Sequence, residues 1–167
     1  MFLARSRSLF FLAFMASLLV MGGVLYLEFG VGLQPCPLCL VQRFFLVAFG
    51  AVCLAAFIHA PGRAGQHVYW GLAVTCALLG ALAASRQVWL QSGTQAPQAS
   101  CQPPLGQMLR SMPFNEVAET LLLGTPDCVR IKWTLLQMSL AEWSLLAFAG
   151  MAVFALIQLL YRYRQAF

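Results

Sequence analysis

The fold is decided by PCPLCLVQRFFLVAFGAVCLAAFI, residues 35–58, in which a Cys-x-x-Cys pair leads directly into a long apolar run. A helix needs about 20 apolar residues to cross a bilayer, and this run is interrupted only by Gln42 and Arg43. The stretch therefore predicts a membrane-spanning helix over about residues 38–58. It also places a dithiol where the chain enters the membrane.

The composition is that of a membrane protein. The chain has 167 residues, of which 61% are hydrophobic and 9% are charged, whereas a soluble domain carries roughly a quarter charged residues. This length suits a single domain, residues 1–167. Although the net charge is +5, the ten Lys and Arg residues are scattered and mostly flank apolar runs. We therefore expect contact with a lipid bilayer and no binding of nucleic acid.

Three further apolar runs have the length of a span and almost no charge: residues 9–27, 68–89 and 143–161. Together the four runs predict an all-α membrane protein, a four-transmembrane-helix bundle with outer loops over about residues 28–37 and 91–142. The first run is preceded by arginines, as in a cleaved signal peptide. However, it is longer than the apolar segment of such peptides and continues without their cleavage pattern.

Charge placement gives the bundle an orientation. With four spans, the flanking basic residues fall on one side: Arg5, Arg7, Arg63, Arg162 and Arg164. The acids fall on the other side: Glu28, Glu116, Glu119, Asp127 and Glu142. Because Lys and Arg are enriched on the cytoplasmic side, we expect both termini to be cytoplasmic. Aromatic residues near the span ends are expected at the level of the lipid headgroups: Tyr26, Tyr69, Trp70, Trp89, Trp143 and Tyr161.

The long outer loop carries structure of its own in this interpretation. Residues 95–104 are rich in proline and polar side chains and are expected to be irregular. Asn115 then has the character of a helix N-cap, and Gly124 that of a helix stop, which predicts a short amphipathic helix over residues 115–123. We expect this helix to lie on the outer membrane surface, or else to pack against the ends of the spans.

Four of the six cysteines map to the outer loops: Cys36, Cys39, Cys101 and Cys128. The natural pairing is Cys36–Cys39 and Cys101–Cys128, although four cysteines permit three pairings. The second pair would also serve as a simple staple of the long loop. A structural zinc site is disfavoured because the second pair is widely separated and no histidine lies in the outer loops, so no metal is expected.

The other two cysteines, Cys53 and Cys76, lie within predicted spans. A cysteine in an apolar helix usually packs as a small hydrophobic side chain, and we expect that of both.

The first cysteine pair has the setting of a reactive dithiol. Proline is favoured at the first helical position, so Pro37 predicts that Cys39 lies in the opening turn of the second span. The positive end of the helix dipole favours a thiolate there. Arg43 is four residues further on and therefore shares the same helix face.

Arginine within a span is costly and usually marks function, although the side chain can also reach back to the headgroups. At the membrane edge, Arg43 would suit a quinone. The tail of a quinone dissolves in lipid, and its carbonyl oxygens gain negative charge on reduction.

The order of these motifs resembles that of the DsbB family, the disulfide bond formation proteins B of bacterial inner membranes. The matching elements run along nearly the whole chain: Pro35-Cys36-Pro37-Leu38-Cys39, Gln42-Arg43, Arg86, Trp89-Leu90-Gln91, Cys101, Gly124-Thr125-Pro126-Asp127-Cys128, Trp133 and Glu142-Trp143. The resemblance implies a four-helix quinone reductase with periplasmic redox loops. Such proteins reoxidise a DsbA-like thioredoxin-fold oxidase and pass the electrons to the membrane quinone pool, for which we expect ubiquinone.

The resemblance also implies a role for each site residue. Cys101 would form the mixed disulfide with the partner oxidase, and Cys128 would pass the electrons to the inner pair. Cys36 would engage the loop cysteines, and Cys39 would face the quinone. Arg43 would hold the quinone or stabilise its developing charge. Each transfer between sulfurs runs through a mixed disulfide.

Two positions depart from the family pattern. Many members have histidine where this chain has Gln87, and some have glutamate where it has Gln42. The Gln87 amide remains a candidate hydrogen-bond partner for a quinone oxygen. The residues alone also leave open a reductase that moves electrons outward, as in vitamin K epoxide reductase-like proteins, and a non-enzymatic membrane scaffold stapled by disulfides.

Overall fold

The computed structural model describes residues 2–32, 37–92, 134–135 and 138–164. Within these residues there are four long helices: α1 Phe2–Val31, α2 Pro37–His59, α3 Arg63–Ser92 and α4 Leu140–Arg164. Each of the four is long and apolar enough to cross a membrane. The predicted four-helix membrane fold is confirmed. The predicted amphipathic helix over residues 115–123 lies outside the described residues.

The helices pack in chain order, α1 on α2, α2 on α3 and α3 on α4. Where α1, α3 and α4 meet, the indole of Trp70 is fully buried. It stacks on Phe10 at a centroid distance of 4.2 Å and meets the edge of Phe154 at 5.8 Å. The ring of Trp70 is therefore part of the core, and its expected place at the headgroup level stays a prediction. Because α3 begins at Arg63, Trp70 lies two turns inside the helix, where its ring joins the core.

The helices extend beyond the predicted spans at both ends. Helix α1 continues past residue 27, so Glu28 belongs to the helix and not to the first outer loop. Helix α3 begins at Arg63 instead of residue 68, and α4 begins at Leu140 instead of residue 143. Apolar runs mark the part of a helix that crosses hydrocarbon, whereas polar turns that continue the helix carry no such mark.

A capping box sets the start of α4. The Ser139 hydroxyl accepts a hydrogen bond from the Glu142 backbone N–H at 3.3 Å, and the Glu142 carboxylate accepts one from the Ser139 N–H at 2.6 Å. These contacts satisfy two backbone groups that the first turn leaves unpaired. Immediately before the helix, β1 Thr134–Leu135 pairs antiparallel with β2 Met138–Ser139. These strands lie in a stretch that the sequence analysis assigned to the loop.

Helices α2 and α3 are joined by residues 60–62. Ala60 has a φ of 44° and its N–H bonds to the Ala56 carbonyl at 3.1 Å, so it ends α2 in a left-handed conformation. The Gly62 carbonyl then accepts the first bond of α3, from the Gln66 N–H at 3.0 Å. A connection this short forces α2 and α3 to be antiparallel neighbours.

The bundle has two chemically different ends. The Cys39 end is where α1 and α3 finish and α2 and α4 begin, and it carries Glu28 and Glu142. The opposite end, the His59 end, carries basic residues of the described helices: Arg7, Arg63, Arg162 and Arg164. At that end the His59 Nδ1 and the Tyr69 hydroxyl are hydrogen bonded at 2.6 Å.

Helices α3 and α4 are in close contact at Gly80, where a Cβ atom would clash with the buried ring of Phe148. We expect Gly80→Ala to lower the free energy of unfolding by about 1–3 kcal/mol, because the ring has to move out of a packed position. Thermal unfolding in detergent measures the loss. Gly71→Ala is the control, since a Cβ at Gly71 meets no atom within 4 Å. Equal melting temperatures for the two variants would contradict this account of the packing.

Candidate functional site

A cavity lies at the Cys39 end between α1, α2 and α4. Its walls are mostly apolar, and α1 and α2 bring four side chains with polar atoms to it: Glu28, Cys39, Gln42 and Arg43. Helix α4 contributes Ser144 and the ring of Phe148. Its volume is about 60 Å³.

The sequence of α2 explains why Cys39 and Arg43 face this cavity together. Helix α2 begins at Pro37, as predicted, which puts Cys39 in the first turn. Arg43 follows one turn later on the same face, and both side chains line the cavity. The N-terminal end of α2 adds its partial positive charge beside the sulfur. The structure therefore places the Cys39 and Arg43 side chains in the lining of one cavity.

Arg43 is held by a carboxylate from the neighbouring helix. Its Nη1 forms an ion pair with Oε2 of Glu28, and the two side chains are 19% and 23% exposed. Such pairing compensates a charge that would otherwise be costly within a bilayer. The contact turns the guanidinium across the cavity toward α1. The Nε atom of Arg43 is buried and has no hydrogen-bond partner among the described residues.

On its other side, Cys39 meets the buried amide of Gln87, which is hydrogen bonded to the amide of Gln42. Gln42 donates from Nε2 to Oε1 of Gln87 at 2.7 Å. Gln87 places its Nε2 3.5 Å and its Oε1 3.7 Å from the Cys39 sulfur. Gln42 and Gln87 are 6% and 2% exposed. The two positions that depart from the family pattern thus contact each other. Gln42 also lines the cavity, whereas Gln87 is not among the described residues that line it.

A second cavity continues from the first along α1 and α4. Its volume is about 300 Å³ and its lining is almost wholly apolar, with Leu12, Phe49, Gly150 and Met151 among the contributors. Val20 and Ala147 line both cavities. A path of apolar surface therefore runs from the Cys39 end toward the middle of the bundle.

The remaining predicted site residues, Cys36, Cys101 and Cys128, lie outside the described residues. Their pairing and roles stay predictions. Cys53 is fully buried in the core and Cys76 packs against it, which confirms that both contribute to packing.

Sequence reasoning missed Glu28 as a site residue. A signal was present, because Glu28 is the only acid before Glu116, and it precedes a span that contains an arginine. A lone carboxylate and a lone guanidinium on adjacent membrane helices have a strong reason to pair.

These features can be compared with known proteins. A family model described as Disulfide bond formation protein DsbB matches residues 6–158.

The chain belongs to the DsbB family.

Curated relatives within the DsbB family cover almost the full chain. Disulfide bond formation protein B of Stutzerimonas stutzeri is 48% identical over 160 residues, which are 96% of this chain and 98% of the relative. Disulfide bond formation protein B 1 of Pseudomonas aeruginosa is 47% identical over the same shares of the two chains. The relative from Hahella chejuensis is 42% identical over 145 residues, 87% of this chain and 88% of its own. The resemblance drawn from the motifs is confirmed, and the chain is a multi-pass membrane protein of this family.

The ion pair between Glu28 and Arg43 makes a measurable prediction. Glu28→Ala and Arg43→Ala should each destabilise the bundle, because each leaves the other charge without compensation. The double variant should be more stable than the sum of the two losses predicts, with a coupling free energy of about 1–3 kcal/mol. Unfolding of the four proteins in mixed detergent micelles supplies the cycle.

A matched cycle pairs Glu28→Ala with Arg86→Ala, because the Arg86 guanidinium lies instead over the Trp89 ring, 4.6 Å from its centroid. This second pair should be additive. Additive losses for Glu28 and Arg43 would show that the ion pair does not contribute to stability.

Proposed function

We propose that this protein is a protein-dithiol:quinone oxidoreductase of the bacterial inner membrane. It reoxidises a periplasmic DsbA-like oxidase and passes two electrons to a membrane quinone, which sustains disulfide formation. The observation that carries the proposal is that Cys39 and Arg43 line one cavity at the edge of a membrane bundle. A reactive sulfur and a fixed cation at the lipid boundary suit a lipid-soluble acceptor of electrons.

The relay consists of three exchanges that balance in electrons and protons. First, the reduced partner attacks the Cys101–Cys128 disulfide and leaves as a disulfide, with both loop sulfurs now thiols. Next, the loop thiols reduce the Cys36–Cys39 disulfide and reform their own. Finally, the Cys36–Cys39 dithiol closes again to a disulfide. Its two electrons and two protons convert quinone to quinol.

The described residues act on the last exchange. Cys39 supplies the sulfur at the cavity, where the α2 N-terminus favours its thiolate. Arg43 donates to an oxygen that gains negative charge as electrons arrive, and its buried Nε has a hydrogen bond to give. Glu28 holds the guanidinium across the cavity beforehand. These groups fit the oxygen-bearing head of a quinone, which supplies the site with two-electron acceptor chemistry.

The cleft between α1 and α4 suits the rest of the substrate. A quinone of the membrane pool carries a long apolar tail, and the 300 Å³ cavity continues from the sulfur site with an apolar lining. The head would thus lie beside Cys39 while the tail follows the cleft toward the hydrocarbon core.

Charge placement supports the proposed orientation. More of the described arginines lie at the His59 end than at the Cys39 end, where Arg43 is paired with Glu28 and Arg86 lies over Trp89. Glu28 and Glu142 both lie at the Cys39 end. By the positive-inside rule the termini are cytoplasmic, and the redox loops face the periplasm.

An assay of quinone reduction tests this function directly. Purified protein is mixed with a reduced thioredoxin-fold oxidase and a soluble quinone, and quinone absorbance is followed. We expect rapid loss of quinone for the native protein and at least about a 100-fold slower loss for Cys39→Ser, because the attacking sulfur is gone. Cys76→Ala is the control, since Cys76 lies in a span away from the cavity.

Equal rates for Cys39→Ser and the native protein would refute the proposed function. The reverse mixture contains quinol and the oxidised partner. An enzyme that moves electrons outward would oxidise the quinol in this mixture. A scaffold stapled by disulfides would be inactive in both mixtures.

The apolar cleft predicts a dependence on the quinone tail. Gly150→Leu places a side chain in the cleft, where a Cβ at Gly150 meets no atom within 4 Å. We expect the KM of a long-tailed quinone to rise about tenfold while that of a tailless quinone stays unchanged, because roughly 1–2 kcal/mol of apolar contact is displaced. Gly71→Leu, on α3 and outside the cleft, is the control. An equal rise for both quinones would place the tail elsewhere.

A further inference from the structure

We infer that Gln87 and Gln42 form a positioning device for the catalytic sulfur, in which Gln42 fixes the Gln87 amide and Gln87 donates a hydrogen bond to the Cys39 thiolate. The inference rests on the proposed function in so far as Cys39 is the sulfur that reduces the quinone. It assigns Gln87 to the thiol and not to the quinone.

The first support is the direction of the amide. A glutamine side chain carries an acceptor oxygen on one side and a donor NH₂ on the other. Gln42 donates to the oxygen of Gln87 at 2.7 Å, and the NH₂ of Gln87 lies 3.5 Å from the sulfur, closer than the oxygen at 3.7 Å. A thiolate has no hydrogen to give to that oxygen, so it pairs with the NH₂. Gln42 thereby selects one of the two orientations that Gln87 is able to adopt. The sulfur meets a donor as a result.

The second support is burial. Gln87 is 2% exposed, so water does not compete for its donor. Near the sulfur, Leu38 is also almost fully buried, and Leu90 and Cys39 pack against Leu38. A hydrogen bond to a charged acceptor is stronger in such surroundings than in water, and an unused buried donor is costly. Burial thus strengthens the hydrogen bond that Gln87 donates and makes it costly to leave that donor without a partner.

The third support comes from the charges that face Cys39. Arg43 from α2 and Glu28 from α1 line the same cavity, but they form an ion pair with no net charge. The described α4 residues that line the cavity carry no titratable group. On α3, Arg86 directs its guanidinium over the Trp89 ring. With Arg43 compensated by Glu28, a neutral donor becomes an important partner for a thiolate. The Gln87 amide remains a hydrogen-bond donor at any pH in the working range.

The test measures the pH at which Cys39 becomes reactive. The full-length protein carries Cys36→Ala, so that Cys39 is the one thiol left of this pair. It is reduced with a phosphine in detergent. It is then treated with iodoacetamide between pH 5 and 10, and mass spectrometry quantifies alkylation of Cys39. Because only the thiolate reacts, the midpoint of the profile reports its stability.

Gln87→Met keeps the length of the side chain and removes the donor. We expect the midpoint to rise by about 1 pH unit, since a hydrogen bond to a charged group is lost. Gln87→Glu should raise it further, because a carboxylate then faces the thiolate. Gln42→Met should raise it by less than Gln87→Met, because the Gln87 amide is then free to turn its oxygen to the sulfur.

Gln66→Met is the matched control. Gln66 is a buried glutamine of the same helix, and its amide donates to the Pro61 carbonyl at the His59 end. Gln66→Met should leave the midpoint of Cys39 alkylation unchanged, although it should affect stability to a degree similar to Gln87→Met.

Two results would overturn the inference. One is a midpoint in Gln87→Met equal to that of Gln66→Met. The other is a fall of the midpoint in Gln87→Glu, which covers the case in which the Met variant does not fold.

The alkylation assay needs neither quinone nor partner, so it separates the two claims. Shifted midpoints in a protein that reduces no quinone would refute the proposed function and leave the amide device in place. Unshifted midpoints in an active quinone reductase would refute the device alone.

Discussion

The structure of the Cys39 end depends on one constraint: polar groups within a bilayer must find their partners inside the protein. Arg43 meets it through Glu28 of the adjacent helix, and Gln42 and Gln87 meet it through each other. These contacts join α1 to α2 and α2 to α3. The groups with the greatest need of a partner therefore also fix how three of the helices are arranged around the sulfur.

Cys39 lies between two kinds of polar neighbour. Toward the cavity it has a guanidinium with a carboxylate beside it, and toward α3 it has a neutral amide. The first pair can respond to a charged or polar ligand, because an ion pair exchanges partners. The amide is buried and its oxygen is already occupied, so it keeps its direction. In the proposed reaction, one side of the sulfur would then serve the substrate and the other would keep the thiolate in place.

Much of this arrangement was predictable from the sequence, and the part that was not involves long-range contacts. Apolar runs gave the four spans, and Pro37 and the spacing from Cys39 to Arg43 gave the shared face on α2. The pattern Ser139-x-x-Glu142 was a readable start signal for α4, but hydropathy alone set the expected start three residues later. The contact between Gln42 and Gln87 joins residues 45 apart in the chain, and no local pattern reports it. Likewise, only the packing of the helices shows that the Trp70 ring is buried against Phe10.

The close approach of α3 and α4 at Gly80 has a consequence for the site. Phe148 fills the space above Gly80 and also lines the cavity, so the α4 wall is supported from behind by the backbone of α3. The α1 wall is joined to α2 near the cavity through an ion pair. Van der Waals contact between Phe148 and Gly80 does not depend on what occupies the cavity. An ion pair, in contrast, weakens when a ligand competes for one of its charges. The two walls would thus differ in compliance: a ligand that competes with Glu28 for Arg43 would loosen the α1 wall more than the α4 wall.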